Sequence, residues 1–242
     1  MPEVNRGDEF YVGYQPKAPP RLARTLRMIL AALLVAGVGI ALALVWGQAS
    51  FPPSRFEFQQ YRPYRGTLLE RPYPMLLTSE HQYLLAGEGK HGVTGEARGL
   101  EGQSVNLQGA LIEYGPNRML ELLTGSLHPD PAGGSAKAET TSLGRVVLTG
   151  EIVDTKCHFG VMNPRRGKVH RDCAARCISG GVPPGFLARG GGSVYLLAGA
   201  DGRPLGREVL CYAAEPLTIS GELSKIGSIL ILKTALRDFR RE

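Results

Sequence analysis

An uninterrupted apolar run near the N-terminus limits the structures open to this chain more than any other feature of its 242 residues. Residues 28–46 are all apolar or glycine, and none carries a charge. As a helix, a run of this length nearly matches the hydrocarbon thickness of a bilayer, which is about 30 Å. The run therefore predicts a single transmembrane helix, with the lipid bilayer as one partner of the chain.

The charges beside this run predict its orientation. Arg21, Arg24 and Arg27 lie directly before it, whereas the first charge after it is Arg55. Cytoplasmic flanks carry the excess of basic residues, so we expect residues 1–27 to form a cytoplasmic tail and the rest to be exported. A cleaved signal peptide is the alternative, although the polar lead and the apolar run are both long for one.

The chain after the apolar run contains an internal repeat. The sequence YLLAG at residues 83–87 recurs letter for letter at 195–199. In each copy a similar alternating segment follows, and its glycine, Gly109 or Gly221, lies 26 residues after the tyrosine of YLLAG. A fixed offset between matching segments indicates a duplicated module.

Each module offers about five short strands separated by turn signals, a pattern typical of a small closed barrel. The predicted fold class is therefore mainly β, with one N-terminal transmembrane helix followed by two tandem OB-like small β-barrels. An antiparallel sandwich would fit the same alternation. The predicted boundaries are 47–127 for the first module, 128–141 for a Pro-, Gly- and Ala-rich linker, and 142–242 for the second module.

Between its first strand and YLLAG the second module has 28 residues more than the first, and the extra residues fall within 156–184, directly after that strand. In an OB-like barrel this loop borders the usual ligand face. All four cysteines and two histidines of the chain lie in or near this insertion: Cys157, His158, His170, Cys173, Cys177 and Cys211. If residues 169–178 are helical, His170, Cys173 and Cys177 share one face.

Three roles remain open for these side chains. In an oxidising compartment an even number of cysteines favours disulfides, with Cys157 and Cys211 each bonded to Cys173 or Cys177, and no cofactor. A zinc or copper site is the second role, with ligands drawn from Cys157, His158, His170, Cys173 and Cys177. Thiol redox chemistry is the third, although the Cys-x-x-x-Cys spacing is one residue longer than in thioredoxin-like motifs.

Charged residues near the cysteines and at strand ends have simpler interpretations. A basic rim, which either lowers the thiol pKa values and attracts anions or is only a solvated loop, consists of Arg165, Arg166, Lys168 and Arg171. The strand-end carboxylates Glu70, Glu151 and Asp154 are interpreted as ordinary surface charges.

Two segments of the second module carry a resemblance. GEIVDTKC at 150–157 and HRDCAARCISGGVPP at 170–184 resemble a family of bacterial membrane-anchored proteins with no assigned activity, and a broader set of small exported OB-like proteins. The family usually has an aromatic residue at the position of His158. The resemblance implies a bacterial cell-envelope setting. Together with the orientation predicted for the apolar run, this setting indicates a single-pass protein of the bacterial inner membrane with a periplasmic C-terminal domain, and a membrane or envelope protein is expected as its partner.

These observations favour a periplasmic accessory or binding protein, non-catalytic, with a disulfide-stapled OB-like domain. The alternative is a Cys/His metal-binding or metal-delivery domain of a membrane redox system. The net charge of +6 is spread along the chain, and no nucleic-acid motif accompanies it, so no nucleic-acid partner is expected. The sequence also lacks the motifs of zinc proteases and serine hydrolases, which disfavours an enzyme.

Overall fold

The computed structural model describes residues 18–48, 54–133, 139–190 and 192–242, in two units, Met1–Phe51 and Pro52–Glu242. Helix α1 (Pro20–Gly47) is the described part of the first unit, and none of its 28 residues is buried. Its most apolar window has a mean hydropathy of 2.8, so α1 is long and apolar enough to cross a membrane or to act as a signal sequence. The helix begins before the predicted segment 28–46, because proline is well tolerated at the first helical position.

The second unit contains two closed five-stranded barrels, which confirms the predicted fold class. The elements of the first barrel are β1 (Ser54–Phe56), β2 (Arg62–Leu69), β3 (Met75–Leu77), β4 (Gln82–Ala86), α2 (Thr94–Ala97), β5 (Ser104–Tyr114), β6 (Asn117–Leu122) and β7 (His128–Pro129). Strands β2, β3, β4, β6 and β5 pair in that order, and β5 closes the ring on β2. The five strands of this ring therefore leave no open sheet edge among themselves.

The second barrel has the same pairing order. Its elements are β8 (Thr140–Asp154), α3 (Thr155–Phe159), α4 (Arg171–Ser179), β9 (Pro184–Ala188), β10 (Val194–Gly199), β11 (Leu217–Ile226), β12 (Ile229–Thr234) and β13 (Phe239–Arg241). Strands β8, β9, β10, β12 and β11 form the ring, and β11 returns to β8. Short 3-10 helices lie at Lys168–His170, Arg207–Tyr212 and Leu236–Asp238.

Strand registers confirm the predicted duplication. The one parallel pair of each ring aligns Leu84 with Met119 in the first barrel and Leu196 with Ile231 in the second. Both pairs of positions are separated by the same offset along the chain. The glycines singled out from the repeat, Gly109 and Gly221, accordingly lie at corresponding positions of β5 and β11.

The two barrels pack directly on each other. One buried cluster draws on both, with Met75 and Met119 from the first barrel and Leu196 and Ile231 from the second. The buried Tyr73 hydroxyl adds polar contacts, because it donates toward the backbone carbonyls of Leu197 and Leu205 at 2.8 and 2.7 Å. Both ends of the predicted linker 128–141 belong to strands, β7 and the start of β8, while residues 134–138 lie outside the described part of the chain.

Candidate metal site

The insertion after the first strand of the second barrel folds as two short helices joined by a loop and a 3-10 turn. Helix α3 follows β8 directly, and the Asp154 side chain caps it, with Oδ1 accepting the backbone N–H of Cys157 at 2.8 Å. A carboxylate at this position satisfies an otherwise unpaired helix donor and suits the helix dipole. The cap therefore fixes Cys157 at the mouth of the barrel.

Three cysteines meet where α3 faces α4. Cys157 Sγ lies 3.9 Å from Cys173 Sγ and 3.8 Å from Cys177 Sγ. The predicted helix over residues 169–178 is realised as the 3-10 turn followed by α4, which places Cys173 and Cys177 one turn apart. Cys157, Cys173 and Cys177 are called the thiol cluster below.

His170 joins this cluster through a buried contact that the sequence interpretation missed. Its Nε2 lies 2.9 Å from Asp154 Oδ2, and the two side chains are 4% and 0% exposed. A donor nitrogen of His170 and the sulfurs of Cys157 and Cys173 all lie within 4.8 Å of one another. The interpretation of Asp154 as a surface charge was therefore wrong, because this carboxylate is buried between the α3 cap and the imidazole.

The first barrel contributes a cation to the cluster. Lys90, in the loop between β4 and α2, places Nζ 2.8 Å from Cys173 Sγ and 3.8 Å from Cys177 Sγ. The hydrogen bond to Cys173 raises the pKa of Lys90, so this ammonium stays charged. No sequence pattern connects Lys90 with cysteines more than 60 residues away.

A hydrogen bond between Cys157 and Cys177 moves the pKa values of these two thiols in opposite directions. The hydrogen bond with Cys157 lowers the pKa of Cys177, and the positive charge of Lys90 acts in the same direction. The same hydrogen bond, burial and the charge of Asp154 raise the pKa of Cys157. Cys177 is therefore the first of the two to become a thiolate, which is the form that binds metals and attacks electrophiles.

The structure does not bring His158 into the cluster. Its ring is 2% exposed, packs edge-on against Tyr114 with centroids 5.6 Å apart, and neither ring nitrogen has a hydrogen-bond partner among the described residues. Burial, and then the nearby charge of Arg165, lowers the pKa of His158 to about 4. Contrary to its predicted inclusion among the metal ligands, His158 belongs to neither group of clustered ligand atoms in the described residues, because its ring packs against Tyr114.

The basic rim is also divided. Arg165 packs on an aromatic ring: its guanidinium lies 4.1 Å above the Tyr114 ring and donates to the His158 carbonyl at 3.0 Å. Arg171 pairs with Glu215 at 2.9 Å, whereas Arg166 and Lys168 are exposed. The cation that contacts the sulfurs is Lys90 and not a residue of the predicted rim.

Cys211 stands apart from the thiol cluster. It lies on the 3-10 helix Arg207–Tyr212, is exposed, and has its thiol 4.0 Å from the Glu208 carbonyl. All four cysteines are free thiols in the structure. The predicted bond from Cys211 to Cys173 or Cys177 is therefore not met, since Cys211 belongs to neither group of clustered ligand atoms.

An open cavity of about 570 Å³ reaches the thiol cluster from the surface. Cys157 and Cys177 form part of its wall together with apolar side chains that include Phe58, Val161 and Met162, all partly exposed. This cavity gives a small solute access to two of the three sulfurs.

Comparisons with known proteins do not identify a family for this chain. The sequence matches no protein-family model, and no curated protein or solved structure is significantly similar to the chain. The resemblance to the bacterial membrane-anchored family therefore remains an expectation, and function has to be argued from the site.

Proposed function

We propose that this chain is a membrane-anchored metal-binding protein whose ligands are Cys157, His170, Cys173 and Cys177. The observation that carries the proposal is the spacing of the sulfurs. In a tetrahedral zinc site with Zn–S bonds of about 2.3 Å, neighbouring sulfurs lie about 3.8 Å apart. The contacts of Cys157, at 3.8 and 3.9 Å, match that edge length. Cys157 is shared by two groups of ligand atoms, one with His170 and Cys173 and one with Asp154 and Cys177, so binding by all four ligands requires Cys177 to move toward His170 and Cys173. A disulfide would need about 2.0 Å.

The buried carboxylate supports the same function. Metal-bound histidines usually donate their second ring N–H to a carboxylate, which orients the ring and makes the ligating nitrogen more basic. With Nε2 directed at Asp154 Oδ2, the other nitrogen of His170 is free to bind a metal. Asp154 also holds Cys157 through its backbone N–H, so one carboxylate positions two of the proposed ligands.

The ligand chemistry restricts the metal. Thiolates and an imidazole suit zinc and copper(I), whereas oxygen-loving cations such as Mg²⁺ and Ca²⁺ prefer carboxylates and carbonyls. The open cavity beside Cys157 and Cys177 supports exchange of the metal with a second molecule, as expected of a binding or delivery protein. We place the barrels in the periplasm, with α1 as the membrane anchor, because of the arginines that precede the apolar run.

Elemental analysis tests the metal site. Full-length protein, purified in detergent without chelator, should carry about one zinc or copper per chain. Serine variants of Cys157, Cys173 or Cys177 should lose that metal, and Cys211→Ser should keep it, because Cys211 lies outside the cluster. Metal-free wild-type protein whose non-reducing peptide map shows disulfides to Cys173 or Cys177 would instead support the structural-disulfide function.

A fusion experiment tests the location separately. A reporter enzyme that folds only after export, joined after Glu242, should be active, and a reporter that fluoresces only in the cytoplasm should be dark at the same position. The reverse pattern would remove the periplasmic placement without touching the metal site.

A further inference from the structure

The loop that carries Lys90 is fixed against the insertion by close backbone contacts. Gly92 donates its N–H to the Gly180 carbonyl at 2.9 Å. A Cβ added to Gly180 would lie 1.9 Å from the Lys90 carbonyl oxygen, and one added to Gly92 would lie 2.0 Å from the Gly181 oxygen. Glycine at these positions therefore allows loop 87–92 of the first barrel to touch the end of α4.

A second lysine holds the same loop from the other side. Lys156 directly precedes Cys157, is 7% exposed, and donates to the carbonyls of Gly87 and Gly89 at 2.5 and 2.7 Å. Its charge is balanced by Glu121 of β6, at 2.5 Å. These contacts occupy the ammonium of Lys156. Lys90 is then the lysine of this region whose ammonium contacts a sulfur.

Charge balance then assigns a role to Lys90. Three thiolates and one neutral imidazole around a divalent metal leave the site with one net negative charge. Across the described ranges, Lys90 is the one cation that donates a hydrogen bond to a cysteine sulfur. We propose that Lys90 is the charge-compensating residue of the metal site, so that the first barrel contributes a residue to that site.

This inference rests on the proposed metal-binding function and goes one step beyond it. Hydrogen bonds that involve charged groups are about twice as strong as neutral ones, and outer-shell partners commonly change metal affinity by about 10- to 100-fold. Lys90 is exposed, so dissolved salt should screen much of its effect. We therefore expect loss of the Lys90 charge to lower metal affinity by an amount in the lower part of that 10- to 100-fold range.

The test compares three variants of the full-length protein in detergent. Lys90→Met keeps the length of the side chain and removes its charge, Lys90→Arg keeps the charge, and Lys168→Met removes an exposed charge from the insertion. Zinc affinity is measured by competition with a chromophoric chelator at low and high salt. Cobalt(II) substitution reports the thiolate ligands through its absorption bands.

We expect Lys90→Met to weaken zinc binding about tenfold with an unchanged cobalt spectrum, and to flatten the salt dependence seen in wild type. Lys90→Arg should restore most of the affinity, and Lys168→Met should bind like wild type. Wild-type affinity and salt dependence in Lys90→Met would overturn the role of Lys90 and leave the metal site standing. Failure of wild type itself to bind zinc or cobalt would instead overturn the proposed function.

Discussion

The two barrels share one topology but use the connection after their first long strand in different ways. In the first barrel this connection is a short turn, and its Tyr73 bonds to backbone groups of the second barrel. In the second barrel it is the insertion that carries α3, α4 and the thiol cluster. Each connection reaches the opposite barrel. The second barrel therefore carries the candidate site because this one connection is longer. The first barrel contributes packing and one cation, Lys90.

The largest stability difference between the copies should come from their matched glycines. A Cβ on Gly221 would lie 2.4 Å from the Lys233 carbonyl oxygen, but for one on Gly109 the nearest atom is the side-chain Cβ of Leu120, at 3.1 Å. We expect Gly221→Val to lower the free energy of unfolding by about 3 kcal/mol and Gly109→Val by about 1 kcal/mol. Denaturant titrations measure both. Equal losses would show that the two glycines have equivalent surroundings.

Asp154 should distinguish a metal site from a simple helix cap. In Asp154→Asn an amide replaces the carboxylate that faces His170, while an oxygen remains available to the N–H of Cys157. We expect zinc affinity to fall about 10- to 100-fold. The matched control is Glu151→Gln, since Glu151 accepts the Gly167 N–H at 2.8 Å and touches no proposed ligand. Equal affinities in both variants would exclude an orienting role for Asp154.

The Tyr73 hydroxyl makes buried polar contacts from the first barrel to the second. Tyr73→Phe removes its bonds to the Leu197 and Leu205 carbonyls and also the acceptor of the Leu205 N–H, at 2.9 Å. We expect a loss of about 2 kcal/mol in unfolding free energy, because buried partners are left unpaired. In Tyr83→Phe the loss should be near zero, as the Tyr83 hydroxyl has no hydrogen bond in the described residues. A small loss in both would mean that apolar packing alone joins the barrels.

The smallest expected effect is a pH dependence that buried His158 of the second barrel carries. The pKa of buried His158 is lowered to about 4, whereas an unfolded histidine titrates near pH 6.5. The unfolded chain therefore binds more protons between these values, so stability is present above about pH 6.5 and is lost as pH falls toward 4. We expect metal-free protein to lose about 1 to 2 kcal/mol between pH 8 and pH 5.

The variant His158→Phe should remove most of this loss, because phenylalanine has no proton to bind and suits the contact with Tyr114. Chemical denaturation of both proteins at the two pH values, with chelator present, measures the difference. Identical pH dependence in the two proteins would show that another group is responsible.

The repeating pattern predicted the architecture because strand alternation and fixed offsets are local properties of the chain. The 26-residue interval that ends at Gly109 and Gly221 was enough to predict two modules, and the extra length after the first strand of the second module located the insertion within it. The helical spacing of Cys173 and Cys177 was also readable, since residues four apart share a helix face.

The polar surroundings of the cysteines could not be predicted in the same way. Asp154 ends a strand, and only the fold shows that the chain turns at once into α3 and buries that carboxylate against His170. The Asp-x-x-Cys spacing was the available signal, because an aspartate three residues before a helical position is a typical cap. Lys90 had no signal at all, since its contact depends on how two barrels pack.

X-ray absorption at the zinc edge of the zinc-loaded protein tests the central claim most directly, because it reports the atoms bound to the metal. The account predicts three sulfurs at about 2.3 Å and one nitrogen at about 2.0 Å in wild type, and the same first shell in Cys211→Ser, which keeps the metal. A first shell of nitrogen and oxygen alone would contradict the assignment of the thiol cluster as a metal site.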